Sequence, residues 1–251
     1  MVTRRAAATA VAALLAAPLV ACGGDAKPAP TPPPLPPEAR EVRDAVARTL
    51  ARCPCEVRLR VEASGATSYD ASLRGTYDPK AQTADLREVT GTVPTGIVVR
   101  VVGGRTFVDP DLGQWIELSF AGLPKEPVSA LVPLALADPR IAFAAAGAVT
   151  TGVREETGDA GTRYGVEVDL AATAAASGSS NDLVRRVFPG AAAYTDVWLK
   201  DGVLSQVRLG ADTPGALGVL LTVLRIDLPA TPVTAPDVLR TVDVATEQTT
   251  T

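Results

Sequence analysis

The chain has 251 residues with 24 basic and 28 acidic side chains, a net charge of −4, and hydrophobic residues make up 47%. The acidic balance argues against nucleic-acid binding, for which a basic face is expected, and against a polybasic membrane patch. The absence of histidine excludes a Ser-His-Asp device and weakens any metal site, and no G-x-S-x-G elbow or phosphate loop is present.

Arg4 and Arg5 open the chain and an apolar run from Ala6 to Val20 follows. A charged start, an apolar middle and small residues at the cut describe a secretory signal over residues 1–21. The run falls short of the roughly 20 residues that a membrane span needs. Leu19-Val20-Ala21-Cys22 resembles the lipobox of bacterial lipoproteins. That resemblance implies an acylated Cys22 as the first mature residue and an exported chain, lipid-anchored to the outer face of the cell membrane. The alternative is a signal peptide with an incidental cysteine. Residues 22–37 are rich in proline and read as a tether. In polyproline II form, about 15 residues extend on the order of 45 Å.

Residues 38–51 predict a helix, with Val42, Ala45, Val46, Thr49 and Leu50 on one face and Pro54 as its stop. Cys53 and Cys55 flank that proline. A local disulfide, two free thiols and separately paired thiols all remain open, since a bridge over one residue is strained. From Glu56 the period becomes two. Val57, Leu59 and Val61 alternate with Arg58, Arg60 and Glu62, the pattern of a strand with one dry face. Leu73 lies on a second strand, Leu86 on a third, and Val99 and Val101 on a fourth over residues 97–102. Gly103-Gly104 turns the chain into a fifth strand, and a sixth carries Trp115. Short strands in succession favour an antiparallel meander.

Residues 124–147 read as two short apolar helical pieces broken by Pro133 and Pro139, containing Leu131, Leu134, Ile141 and Phe143. Pieces that are apolar on more than one face pack between layers or against a ligand. Strands then resume over Val149–Glu156 and Arg163–Leu170. An Ala- and Ser-rich stretch ends in a helical turn near Asn181–Phe188. A hairpin follows, with Val197 and Leu199 on one face, and then a last strand over Leu217–Leu228 with Leu220 and Val223. Residues 231–251 read as a polar tail with a disordered end.

The order of parts resembles the LppX/LprG group of lipoproteins, which shares the fold of the LolA carriers. The phrases Val102-Gly103-Gly104-Arg105-Thr106-Phe107-Val108, Thr162 to Asp169 and Tyr194 to Gly202 are similar to passages of these proteins. The resemblance implies an α+β fold over residues 38–230, a strongly curved antiparallel sheet (a half-barrel) with helices packed across its concave face. It also implies a cavity for acyl chains of a lipid or glycolipid. The candidate cavity residues are Val57, Leu59, Val61, Leu73, Leu86, Val99, Val101, Leu131, Leu134, Ile141, Phe143, Val197, Leu199, Leu220 and Val223. The expectation is a monomeric binding protein rather than an enzyme, with no cofactor and no metal. The alternative is an interaction or sensing module that binds another envelope protein.

Overall fold

The computed structural model describes residues 34–63, 69–90, 93–110, 113–119, 134, 136–179, 184–185, 193–210, 217–243 and 248–250. Residues 1–21, Cys22, most of the proline tether and Leu131 lie outside them. The compact unit spans Leu35–Thr251.

Helix α1 runs from Pro37 to Arg52. Proline suits its first turn because the amide it lacks has no partner there in any case. Strands β1 (Cys55–Ala63), β2 (Tyr69–Asp78), β3 (Thr83–Thr90), β4 (Val93–Val102), β5 (Arg105–Pro110) and β6 (Trp115–Ser119) follow in order. Each pairs antiparallel with the next, and the two-residue turn at Gly103-Gly104 suits such a hairpin. Helix α2 (Pro139–Gly147) precedes β7 (Val149–Gly158) and β8 (Gly161–Val168). Helix α3 (Leu170–Ser177) then leads to β9 (Tyr194–Lys200), β10 (Val203–Leu209), β11 (Leu217–Arg225), β12 (Val238–Asp243) and β13 (Gln248–Thr250).

The described strands form one 13-stranded sheet in the order β13-β12-β6-β5-β4-β3-β2-β1-β11-β10-β9-β8-β7. Two meanders, β1 to β6 and β7 to β11, join where β1 and β11 pair antiparallel. The sheet is therefore almost wholly antiparallel, and the exception is the parallel pair of β12 with β6. Close approach matters at Gly75, where an added Cβ would lie 1.9 Å from the Asp85 carbonyl oxygen of the next strand.

Three expectations change. Pro139 starts α2 rather than breaking a helix, because Asp138 caps the Arg140 amide at 2.9 Å and proline occupies the first turn. The strand expected up to Leu170 stops at Val168, because the Asp169 carboxylate accepts from the amides of Ala171 and Ala172 and opens α3. The tail, read as polar and separate from the domain, contributes β12 to the sheet, and Val242 is buried beside Leu118. Of the helical turn expected over Asn181–Phe188, only Val184 and Arg185 are described, and both are helical.

Helix α1 packs against β7, β10 and α2. Its contacts are polar as well as apolar. The Arg43 side chain donates to the Val149 carbonyl at 2.7 Å and Arg48 to the Gly202 carbonyl at 2.8 Å. Buried Thr49 donates to the Ala45 carbonyl and accepts from the Leu204 amide, each at 2.8 Å, so its hydroxyl is satisfied as both donor and acceptor. At the helix end, the Asp227 amide donates to the Arg52 carbonyl at 2.8 Å and the Leu228 amide to the Pro54 carbonyl at 2.9 Å.

Candidate functional site

Strand register brings the apolar candidates together. Residues directly opposite one another on paired antiparallel strands share a face. One row crosses six strands as Leu73, Leu59, Leu221, Val207, Val197 and Tyr164. A second runs Ile116, Val108, Val99, Leu86, Gly75, Val57 and Val223. Apart from half-buried Val223 and Gly75, every member of both rows is buried. Val61, Val101, Leu134, Ile141, Phe143 and Leu199 lie in the same apolar cluster. The Phe143 ring stacks on Tyr77 with centroids 5.3 Å apart, which ties α2 to β2.

Leu220 is a correction. Its register partners are Arg60 and Arg208, so it stands on the opposite, polar face of the sheet. Leu221 takes the place assigned to it and is fully buried. The run Leu217-Gly218-Val219-Leu220-Leu221 is apolar at both odd and even positions, so its alternation carries no phase. Tyr77, Tyr164, Leu136, Val207 and Leu221 also belong to the cluster and were not among the candidates. Leu221 has no legible signal, whereas the alternation of Tyr77 with Leu73 and that of Tyr164 with Val166 were readable in the sequence.

The two tyrosines bring the polar groups of this apolar layer. Burial, then the neighbouring Asp138, push the Tyr77 phenol above its ordinary 10.0. Burial and a hydrogen bond with Glu41 push Tyr164 up to about 12. Both phenols are therefore neutral at pH 7. Arg140 pairs with Asp138 at 2.5 Å; burial opposes its charge, but the hydrogen bonds to Asp138 outweigh that and keep it cationic. Cys53 and Cys55 are bridged, with Cα atoms 4.5 Å apart, and both are buried where α1 meets β1.

The opposite face is ionic. Glu56 accepts from Arg74 and from Arg225, each at 2.6 Å. Burial pushes its pKa up, and the hydrogen bonds from Arg225 and Arg74 more than reverse that, leaving it below the ordinary 4.5. Further along, Arg100 lies 4.7 Å from the Trp115 ring centre and Arg105 4.9 Å from that of Phe107, and Arg105 also pairs with Glu117. Phe107 is fully buried although it faces the ionic side.

The molecule is thus an α+β protein built on a large open sheet, mostly antiparallel, with one apolar and one ionic face. No family model matches the chain, and no curated protein does. Among solved structures it is similar to an uncharacterized conserved protein from Thermus thermophilus, at 10% identity, covering 76% of this chain and 89% of that one, with a TM-score of 0.37. It is similar to a LolA superfamily protein from Nitrosomonas europaea at 13% identity, covering 78% and 95%, with a TM-score of 0.37. It is also similar to a DUF1329 family protein from Desulfovibrio piger at 11% identity, covering 77% and 95%, again with a TM-score of 0.37.

Proposed function

We propose that the protein binds the acyl chains of a lipid or glycolipid between the apolar face of the sheet and the segment around α2, as a carrier or presenter in the cell envelope. The observation that carries the reading is the continuity of the apolar layer. Two uncharged, largely aliphatic rows together cross the two meanders and meet Leu134, Ile141 and Phe143. The α2 surface that meets them is rich in small side chains, Ala142, Ala145 and Ala146, which give way to a ligand with little loss of side-chain packing. Burial of acyl carbon contributes about 0.8 kcal/mol per methylene, so one long chain supplies ample affinity.

In this reading the sheet curls as a half-barrel with the helices over its concave side, as in the LppX/LprG group, and the protein works as a monomer without catalysis. Cys22 carries the lipid anchor, residues 1–21 direct export, and the proline tether spaces the domain from the membrane.

The test is native mass spectrometry of the full chain carrying Cys22→Ser, purified without detergent from an envelope-containing host. The expected result is a discrete added mass that extracts into organic solvent and that falls in a folded Leu134→Trp variant. A clean unliganded mass, with no uptake of an offered fluorescent fatty acid, would overturn the proposal.

A further inference from the structure

On the outer face of the sheet, Arg58, Arg74 and Arg87 stand directly opposite one another across β1, β2 and β3. Neighbouring strands place such side chains about 5 Å apart at Cβ, and like charges at that spacing repel. Sheets ordinarily relieve this with alternating signs, as the same face does elsewhere. Arg60 meets Asp70 at 2.8 Å, and Arg100 faces Asp85 across β3 and β4 at 3.4 Å.

The arginine row has no such relief. Arg74 has Glu56, but that carboxylate is shared with Arg225. Arg58 and Arg87 have no carboxylate partner among the described residues. Among the described residues the Nε–H of Arg58 is buried and, like those of Arg100 and Arg163, meets no hydrogen-bond acceptor. A buried donor without an acceptor is rare and costly. Arg74 and Arg225 therefore share one carboxylate, and Arg58 and Arg87 have none among the described residues, in a chain whose net charge is −4. Arg87, which faces Val98 of β4, is exposed, and half-buried Arg58 adjoins it through Arg74. Guanidinium forks match the geometry of tetrahedral oxyanions and bind them through two parallel hydrogen bonds.

We propose that Arg58, Arg74 and Arg87 form an anion site that takes a phosphate group on the outer face of the sheet, separate from the apolar layer. An oxyanion there cancels the repulsion along the row. Two sources carry this chemistry, a free phosphate and the phosphodiester of a lipid head group.

Isothermal calorimetry on the full chain distinguishes them, with inorganic phosphate as one probe and glycerophosphoglycerol, an acyl-free phosphodiester, as the other. Because neither probe has an acyl chain, the outcome is independent of the proposed lipid cavity. Saturable binding is expected, weakening as salt rises, with an affinity at least about tenfold lower in R58Q/R87Q. R58K/R87K, which keeps the charge and loses the fork, should fall between the two. R154Q, on the far edge strand β7, should bind as the parent does. Binding of the diester alone assigns the site to a head group, and binding of inorganic phosphate alone assigns it to the free ion. No saturable binding of either probe below about 10 mM, an affinity weaker than any useful site, would overturn the proposal. So would equal affinity in the parent and a folded R58Q/R87Q or R58K/R87K variant.

Discussion

Strand β1 presents two environments on alternate residues. On one side Val57, Leu59 and Val61 are fully buried among aliphatic neighbours of β2 and β11. On the other, Glu56, Arg58, Arg60 and Glu62 face a field of arginines and carboxylates. The backbone and its hydrogen bonds serve both faces equally, so the difference lies in the side chains alone. The apolar face supplies most of the folding free energy, since the transfer of aliphatic surface from water is the dominant favourable contribution. The ionic face contributes little per pair where its side chains are half exposed, as with Arg60 and Asp70. Its charges are free to serve recognition, and the unrelieved arginine row is where they depart furthest from what stability alone favours.

The largest contrast is expected at Leu59, which lies between Leu73 and Leu221 in the first apolar row and is fully buried. Leu59→Ala should cost about 3 kcal/mol, the sum of lost transfer and a residual cavity, measured as a fall in the urea midpoint. A cost below about 1 kcal/mol would mean that the apolar layer at β1 collapses or is already loose, and would erase the difference between the faces.

A smaller effect is expected at Glu56, an acid of the outer face held by two arginines at 2.6 Å with its side chain only 11% exposed. Glu56→Gln should cost about 1–2 kcal/mol at pH 7, because two charge-assisted hydrogen bonds weaken while the arginines remain partly solvated. The sign of the pH dependence follows from the depressed folded value. The contribution of Glu56 is fully present above the ordinary 4.5 and is lost as pH falls through the lower folded value. The stability gap between parent and variant should thus be complete at neutral pH and close in stronger acid. A gap that stays constant across that range would show that the carboxylate is not the source of the effect.

The smallest effect carries the opposite sign. Arg87→Gln removes one member of the like-charged row and should raise stability by about 0.3 kcal/mol at low salt, the gain vanishing as salt screens the repulsion. Thermal unfolding at two ionic strengths measures it. A destabilising change would mean that Arg87 already has an acceptor and that the row is relieved without a ligand.

The two faces also differ in how far they can be read in advance. Helix α1 is legible because its apolar residues keep the three-and-four spacing and Pro54 forbids continuation. The dry face of β1 is legible because each valine or leucine alternates with a charge. Of the candidates along the apolar layer, Val57, Leu59, Val61, Leu73, Leu86, Val99, Val101 and Val197 are all buried together. At β11 the pattern is silent, since a run apolar at odd and even positions alike offers no phase, and Leu221 rather than Leu220 faces the apolar layer. The helix α3 escaped notice because Asp169 reads equally as a strand end, and its capping role depends on the turn that follows.

Composition and local pattern by themselves determined helix α1, most of the strands and which side of β1 is dry, because burial imposes a period on the side chains that each element can carry. They also determined the acidic balance and the absence of histidine chemistry. Only the tertiary structure decided the order of strands and the meeting of the two meanders at β1 and β11. It also decided the return of the tail as β12 beside β6, the Cys53–Cys55 bridge and the three-strand row of Arg58, Arg74 and Arg87. The bridge aside, those features depend on register between separate strands, and a shift of one residue would send every side chain to the other face.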